Sequence, residues 1–450
     1  MSSRSFLIAV FCLVATFFLM RSKVSAGAEP ESFLYTAAKQ YEPLAWMRGA
    51  DRFPSGATIM LHHSGEDHPL VPHFAASADP AVSFDGERVL FAGKAKPDDP
   101  WQIWEMQLSG GEPQRVISST EDCIRPSYLP ENRVVYARLV GRRFVIEAAG
   151  RAGGTPLALT YVPASTLPAD ILRDGRVLFE AGFPLGAGAI PELYTVYSDG
   201  SGVESYRCDH GSARHLGRQV SSGDIIFPSQ RGLAKFTSAL AHQVTLPVPA
   251  GEYAGEISEN PLGDWLLSWR HNPSDFFQLM DWTPGSPTLR PMLEKQPFNI
   301  LQPVLIRDRA VPNRHPSGLH DWPNANLLCL NAYTSKYHFT AGSIHAVRLY
   351  TREASGKTVL LGTAPVESDG SFFAQVPTER PLQIELIDDK GKTLKRESGF
   401  FWMRHGEQRA CVGCHAGPET APENAVPMTL LRSTTPSDMT GNTRKESGGN

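Results

Sequence analysis

The stretch DPAVSFDGERVLFAGKAKPDDPWQIWEMQLSGGEPQRVI, residues 79–117, contains the clearest structural pattern in the chain. Asp85-Gly86 is a tight-turn pair, and the run Arg88–Phe91 (RVLF) that follows it is typical of a strand. Residues 101–108 alternate as a third strand, and Gly110-Gly111 turns the chain toward a fourth. This stretch therefore predicts a unit of four short antiparallel strands.

The same turn-then-strand pattern recurs through the middle of the chain at steps of roughly 40–50 residues. The later turns are Glu131-Asn132, Asp174-Gly175, Ser222-Gly223 and Leu262-Gly263. Four strands per unit at this period indicate a β-propeller of six or seven blades, predicted over residues 29–312. Residues 43–78 and 297–312 are candidates for the blades beyond the five visible units. An array of β-sandwiches is the alternative interpretation.

The N-terminal residues 1–28 have the pattern of a secretory signal peptide. Arg4 precedes the apolar run Phe6–Met20, and the small residues Val24-Ser25-Ala26 offer a cleavage site. We therefore expect a periplasmic or otherwise exported protein, which touches the membrane only if this segment stays uncleaved as an anchor. Lys plus Arg is 43 and Asp plus Glu is 47 among 450 residues, so a nucleic-acid partner is not expected.

The last third of the chain differs from the repeats. Residues 313–325 are rich in proline and predict a linker. Residues 326–402 contain six strand-like runs separated by turns such as Asp369-Gly370, and they predict a small antiparallel β-sandwich. The overall prediction is an all-β fold, with a haem-attachment segment at 403–432 and a disordered tail at 433–450.

Cys411-Val412-Gly413-Cys414-His415 is a C-x-x-C-H motif, the attachment signature of haem c. The two thiols can reach the two vinyl groups of one haem, and the histidine lies under the iron as proximal ligand. A redox-active cysteine pair and half of a zinc site are the alternatives. The motif predicts one covalent haem c on Cys411 and Cys414, with His415 on the iron. Met428 and His405 are candidates for the distal ligand.

Residues 365–415, PVESDGSFFAQVPTERPLQIELIDDKGKTLKRESGFFWMRHGEQRACVGCH, resemble the middle domain of the hydrazine synthase alpha subunit and its relatives. The shared features are a DGSF turn, a Val-Pro step, an L-x-D-x-x-G hairpin and a G-E-x-R ending before the motif, where His405 replaces the usual proline. The propeller segment VSFDGERVLFAG is also similar to that family. The resemblance implies a propeller, a β domain and one haem c.

Two differences from that family separate this chain from its catalytic subunit. In that subunit a tyrosine four residues after the motif histidine binds iron, whereas here the position is Glu419. The subunit also continues into a further haem-bearing domain. Hydrazine synthesis itself is therefore not expected of this chain.

Two weaker sets of residues have metal-binding side chains: Cys208-Asp209-His210 with His215 nearby, and the group His62, His63, His68 and His73. Cys123, Cys208 and Cys329 are the cysteines that remain in the mature chain after haem attachment, and three thiols cannot all pair within one chain. A blade-edge loop is the simpler interpretation of the first, and Cys329 is most simply a small buried apolar residue. The predicted function is electron transfer, or haem-based redox chemistry on a small substrate within an assembly, with an electron-transfer protein as partner. The alternative is a non-catalytic propeller scaffold whose haem is structural or absent.

Overall fold

The computed structural model describes residues 32–183, 185–186, 188–207, 211–230, 232–239, 241–413 and 425–441. Within these ranges the chain forms eight four-stranded sheets, a 3-10 helix at Ala45–Arg48 and an α-helix at Met428–Arg432. The all-β class predicted from the sequence is confirmed. None of the helices in the described ranges has the length and apolar character needed to cross a membrane.

Six of the sheets in the described part of the chain form a propeller. Its strands are β1 Phe33–Ala38, β2 Thr58–His63, β3 Glu66–Pro69, β4 Ala76–Val82, β5 Arg88–Lys94, β6 Gln102–Gln107, β7 Gln114–Ile117, β8 Cys123–Leu129, β9 Arg133–Val140, β10 Arg143–Gly150, β11 Leu157–Ala158, β12 Thr166–Ile171, β13 Val177–Phe183, β14 Ile190–Val196, β15 Glu204–Ser205, β16 Arg218–Gln219, β17 Ile225–Ser229, β18 Gly232–Phe236, β19 Val244–Thr245, β20 Glu252–Glu259, β21 Trp265–Arg270, β22 Gln278–Trp282, β23 Arg290–Pro291 and β24 Asn299–Leu305.

The propeller ring is closed by pairing its two ends. β24 pairs antiparallel with β1, so one blade has the order β24-β1-β2-β3, while the other five blades each use four consecutive strands. Strands of each blade contact strands of the next blade around the whole ring. Apolar side chains fill the space between neighbouring blades, as where Ile226 and Leu233 pack with Trp265 and Trp282. The described residues therefore contain six blades. Residues 297–312 supply β24, and residues 43–78 supply β2 and β3, of the blade that closes the ring.

The inner strands of the blades share an irregular backbone position near the propeller axis. Asp79, Arg125, Leu216 and Gln302 all have positive φ values of 53° to 59° on or just before an inner strand. At Asp79, Arg125 and Gln302 the next residue is a proline, which cannot donate to the strand ladder and is tolerated at a bulge. The bulges turn these side chains toward the axis.

A buried network of charged and amide groups joins the blades at the axis. The Asp79 carboxylate accepts hydrogen bonds from Arg52 at 2.5 Å, from the Gln302 amide at 2.5 Å and from the Arg125 backbone N–H at 3.0 Å. The Arg125 guanidinium donates to Glu256 of the sixth blade and to the Pro168 carbonyl of the fourth. Burial alone would raise the pKa of Asp79, but Arg52 and Arg125 outweigh it and hold the pKa below its usual value.

Two further buried groups beside the axis have pKa values shifted so that each favours its neutral form. Burial raises the pKa of Glu180 from 4.5 to about 7, although the Leu216 N–H donates to this carboxyl at 2.9 Å. Burial lowers the pKa of His215 from 6.5 to about 4. Both shifts follow from the cost of placing a charge where water is excluded.

These two shifts predict opposite contributions to the pH dependence of stability. Glu180 keeps its proton in the folded state, so its contribution is present below pH 4.5 and is lost as pH rises toward 7. His215 stays neutral in the folded state, so its contribution is present above pH 6.5 and is lost as pH falls toward 4. Each contribution is roughly 3–4 kcal/mol, at about 1.4 kcal/mol per pKa unit.

We therefore expect Glu180→Gln and His215→Asn to change the pH profile in opposite directions. Relative to the unsubstituted protein, Glu180→Gln should become more stable as pH rises through the window from 4.5 to 6.5, and His215→Asn should become less stable. Urea unfolding at several pH values in that window measures both differences. Equal slopes for the two variants would contradict the assignment.

The segment between the propeller and the sandwich runs across the turns of blades two, three and four; in the turn of blade three, Glu131 pairs with Arg314 at 2.9 Å. After β24, the Arg309 N–H donates to the Phe84 carbonyl at 2.8 Å, and the Asn313 N–H donates to the Arg173 carbonyl at 2.8 Å. The His315 ring then stacks on Tyr197 with ring centroids 3.7 Å apart. This linker is therefore attached to the propeller along its length.

Two sheets face each other in the second domain. Its strands are β25 Asn324–Cys329, β26 Ala346–Arg352, β27 Thr358–Pro365, β28 Phe372–Pro377, β29 Leu382–Ile387, β30 Thr393–Arg396, β31 Gln408–Cys411 and β32 Ser437–Asp438. One sheet, β27-β26-β29-β30, is antiparallel throughout. In the other, β31-β25-β28-β32, the central pair is antiparallel and both edge strands are parallel to their neighbours.

The sandwich includes more of the C-terminal segment than the sequence predicted. β31 and β32 come from residues expected to be a haem segment and a disordered tail, and they add the two edge strands. Met439 is 1% exposed and belongs to the sandwich core. The expectation of disorder is therefore wrong for residues 433–441, because apolar burial of Met439 anchors them; residues 442–450 lie outside the described ranges.

Candidate functional site

An apolar cavity lies between the sandwich and the fourth propeller blade. Its volume is about 210 Å³. The lining residues are Tyr194, Ser205, Leu327, Cys329, Ala332, Phe372, Ile384, Leu386, Glu397, Gly399, Phe400, Phe401, Cys411 and Gly413. Two thiols and a wall of phenylalanine rings therefore face one space, which suits a flat apolar group better than a polar ligand.

Cys411 is the last residue of β31, and the pairing of this strand with β25 places it at the cavity. β31 runs parallel to β25, where Cys329 is the register partner of Cys411, and the Leu330 N–H donates to the Cys411 carbonyl at 2.9 Å. Burial raises the pKa of the Cys411 thiol, and nearby Arg409 opposes that shift. The thiol is therefore held neutral, at a fixed place on the cavity wall.

Gly413 follows Cys411 closely and packs against the loop after β25. A Cβ atom at residue 413 would meet the carbonyl oxygen of Thr334 and lie 3.0 Å from that of Asn331. The position between the two motif cysteines is therefore restricted to glycine by close backbone approach. Val412, in contrast, is 40% exposed.

The residues just before the motif anchor it to the propeller. The Trp402 ring is 1% exposed and packs with Ile146 and Phe179 of blades three and four, while its indole N–H donates to the Gly200 carbonyl at 2.9 Å. Arg404 donates to the Tyr161 hydroxyl of the propeller. The motif is thus preceded by a segment that is fixed on the propeller at blades three and four.

Gly406 and Glu407 also hold the segment before the motif in place. Gly406 has a φ of 66°, and a Cβ there would meet the carbonyl oxygen of His320 on the linker. The Glu407 carboxylate accepts from the Gly202 N–H at 3.2 Å and from the Arg404 N–H at 2.8 Å. The G-E-x-R pattern singled out in the sequence therefore joins sandwich, linker and propeller at one place.

The structure places the remaining predicted haem residues as follows. Cys414 and His415 lie outside the described residues. Met428 begins the short helix, its Sδ lies 3.2 Å from Ser368 Oγ, and its N–H donates to the Asp369 carboxylate at 2.8 Å. His405 Nδ1 lies 3.3 Å from the Trp322 carbonyl. Neither Met428 nor His405 lines the cavity at Cys411, so a distal ligand stays a prediction.

The histidines predicted as a metal-binding group at residues 62–73, all within the described ranges, do not assemble into a metal site. His62 pairs with Asp67 at 3.0 Å, His63 with the Ser32 hydroxyl at 2.7 Å and His68 with Glu66 at 3.3 Å. Across the described ranges, no three His, Cys, Asp or Glu side chains are placed to hold a metal ion. Cys208-Asp209-His210 lies outside those ranges, and Cys123 is buried in the propeller core.

Sequence reasoning missed the aromatic wall and the propeller's share of the cavity. Phe400 and Phe401 directly precede Trp402, and three consecutive aromatic residues so close to a C-x-x-C-H motif are a signal for a ring-binding wall. Tyr194 and Ser205 come from β14 and β15, about 200 residues earlier in the chain. Only the packing of the sandwich on the fourth blade brings them to the site.

Together, the fold and the site define a class of protein: a six-bladed β-propeller with a β-sandwich whose edge strand leads into a C-x-x-C-H motif. Residues 333–416 match the family described as hydrazine synthase alpha subunit middle domain. A 58-residue stretch is 33% identical to hydrazine synthase subunit alpha of Kuenenia stuttgartiensis, covering 13% of this chain and 7% of that protein. The resemblance predicted from the sequence is confirmed for this segment.

Solved structures extend the likeness of fold to most of the chain. Hydrazine synthase of Kuenenia stuttgartiensis superposes with a TM-score of 0.76 at 15% identity, over 90% of this chain and 72% of that chain. TolB of Acinetobacter baumannii has a TM-score of 0.45 at 14% identity, over 63% of this chain and 67% of its own. The propeller and the sandwich thus follow one another here as in the Kuenenia stuttgartiensis structure, while the matched sequence spans less than a tenth of the curated relative.

Proposed function

We propose that this chain is an exported c-type haem protein in which Cys411 and Cys414 bind one haem covalently and His415 is its proximal ligand. The observation that carries the proposal is the position of Cys411, on the wall of an apolar, phenylalanine-lined cavity, three residues before Cys414 and four before His415. When bound, haem supplies one-electron redox chemistry at its iron.

The residues of the cavity fit such a group. Phe372, Phe400 and Phe401 offer flat apolar surface to a porphyrin ring, and Leu327 and Leu386 extend that surface. The pairing of β31 with β25 holds Cys411 in place, and Gly413 is fixed by its close approach to Thr334. These residues position the attachment thiol and exclude water from the ring.

We further propose that the haem serves electron transfer, or redox chemistry on a small substrate, within an assembly. The resemblance to a named subunit of hydrazine synthase supports association with other chains, and a single haem needs an electron-transfer protein as partner. The spin state of the iron separates the two roles: six-coordinate low-spin iron supports electron transfer, and five-coordinate high-spin iron supports catalysis at an open position.

The test is co-expression of the full chain with a cytochrome c maturation system, followed by intact mass and a reduced pyridine haemochrome spectrum. We expect the added mass of one haem, abolished by Cys411→Ala combined with Cys414→Ala. Cys123→Ala is the matched control, because this buried cysteine lies in the propeller core, and it should retain the haem. An unmodified mass beside a matured control cytochrome would overturn the proposal in favour of a haem-free propeller scaffold.

A further inference from the structure

A second cavity, of about 190 Å³, lies at one end of the propeller axis. All six blades contribute to its lining, together with the first residues of the linker. Asp79, Arg125 and Gln302 of the axial network belong to it, and Arg218, Arg307 and Arg309 add three guanidinium groups. This propeller mouth is separate from the cavity at Cys411, with which it shares no lining residue.

The carboxylates of the propeller mouth already have hydrogen-bond donors. Asp170 accepts from the Gln219 N–H at 2.8 Å and lies 3.4 Å from Arg218. Glu259 accepts from the N–H and hydroxyl of Ser221 at 2.5 and 2.7 Å. Asp79 is bound by Arg52 and Gln302. The lining therefore has three carboxylates, all with hydrogen-bond donors, against the four guanidinium groups of Arg125, Arg218, Arg307 and Arg309, an excess of one positive charge.

The guanidinium groups, in contrast, retain unused donors. Arg218 Nε is buried and has no hydrogen-bond partner. Arg307 donates to the Glu259 carbonyl at 2.6 Å, and Arg309 donates to the Val82 carbonyl at 3.2 Å while lying 4.4 Å from the Phe84 ring centroid. Within the described ranges, neither Arg307 nor Arg309 forms an ion pair with a carboxylate.

The arginines also repel one another. Arg307 and Arg309 are both exposed by surface area, yet the protein packed around the Arg309 guanidinium lowers its pKa; the charges of Arg218 and Arg307 lower it further, and the charge of Asp170 opposes them. Guanidinium groups bind carboxylate and phosphate oxygens through paired N–H donors. An anion in the mouth would supply the missing acceptors and relieve this repulsion.

We propose that the propeller mouth binds the oxyanion group of a small molecule, a phosphate or a carboxylate, through Arg218, Arg307 and Arg309. The site is lined by residues from every blade, so its shape depends on the closed ring. It does not depend on haem attachment, and its test can fail or succeed independently of that proposal.

Calorimetric titration of the full chain in a chloride buffer, with inorganic phosphate in one series and citrate in another, tests the site. We expect at least one anion to bind, and Arg309→Gln and Arg218→Gln each to weaken it about tenfold or more, as for loss of a hydrogen bond to a charged group. The tighter of the two anions identifies the ligand class. If Arg218→Gln does not fold, the test uses Arg307→Gln and Arg309→Gln, because these two residues lie on the linker.

Arg314→Gln is the matched control. Arg314 lies on the same linker, pairs with Glu131 at 2.9 Å and is 65% exposed outside the mouth. Arg314→Gln should weaken binding less than about twofold, because the Arg314 guanidinium lies outside the mouth and acts on a bound anion only over a distance that salt screens. Absence of binding at anion concentrations on the order of 10 mM, or equal weakening by Arg314→Gln and Arg309→Gln, would overturn the proposal.

Discussion

Asp79→Ala is expected to destabilise the propeller by about 3–5 kcal/mol, the range for removing one partner of a buried ion pair. The carboxylate is 4% exposed and accepts hydrogen bonds from Arg52, Gln302 and the Arg125 N–H. Without it, the Arg52 and Arg125 guanidinium groups, themselves about 5% exposed, remain buried with less negative charge to balance them. The substitution removes contacts between three blades, because Asp79, Arg125 and Gln302 lie on three different inner strands.

Urea unfolding followed by tryptophan fluorescence measures this loss. The matched control is Glu42→Ala, which removes the carboxylate of an ion pair with Arg48 at 2.6 Å whose side chains are 51% and 66% exposed. That substitution should cost no more than about 1 kcal/mol. Equal costs for the two variants would show that the axial network does not hold the blades together.

Trp402→Ala should also cost about 3–5 kcal/mol, the usual range for truncating a buried tryptophan. Its ring packs in an apolar cluster of blades three and four, and its indole N–H donates to the Gly200 carbonyl. Removing the ring leaves a cavity between the domains and one unbonded carbonyl. Because Trp402 belongs to the segment that leads into the sandwich edge strand, we expect the sandwich to unfold separately from the propeller.

Differential scanning calorimetry distinguishes this outcome. We expect one transition in the unsubstituted chain and two in Trp402→Ala, with faster proteolysis of residues 306–323 in the variant. Trp322→Ala is the control, since Trp322 is 54% exposed on the same linker, and it should leave the single transition unchanged. A single, slightly lowered transition in Trp402→Ala would mean that the remaining contacts suffice to hold the domains together.

The repeat was readable from the sequence because its strands are joined by local turns. Asp85-Gly86, Asp174-Gly175 and Ser222-Gly223 each open a hairpin, and hairpin turns have strong residue preferences. The blade that joins β24 to β1 was not assigned, because that pairing links residues about 270 positions apart and no turn marks it. The parallel edge strands β31 and β32 escaped prediction for the same reason.

The axial residues share one position in the sequence repeat, and that shared position could have identified them. Asp79, Arg125 and Glu256 each lie seven residues before the last turn residue of their repeat, at Gly86, Asn132 and Gly263. Charged residues at one fixed position of a propeller repeat indicate a shared buried network. The motif at Cys411 was found from sequence, whereas its aromatic cavity depends on β25, β28 and blade four meeting, which no local pattern encodes.

The pairing of β24 with β1 has a consequence for how the molecule is made. β1 pairs with β2 through a local hairpin, but its other edge finds its partner only when residues 299–305 have been synthesised. Until then the first blade presents an unpaired strand edge, which is a template for mispairing with other chains. Contacts between such distant residues also make folding slow. A chaperone that shields the nascent N-terminal blade would therefore raise the yield of native protein more than one that acts on the finished sandwich.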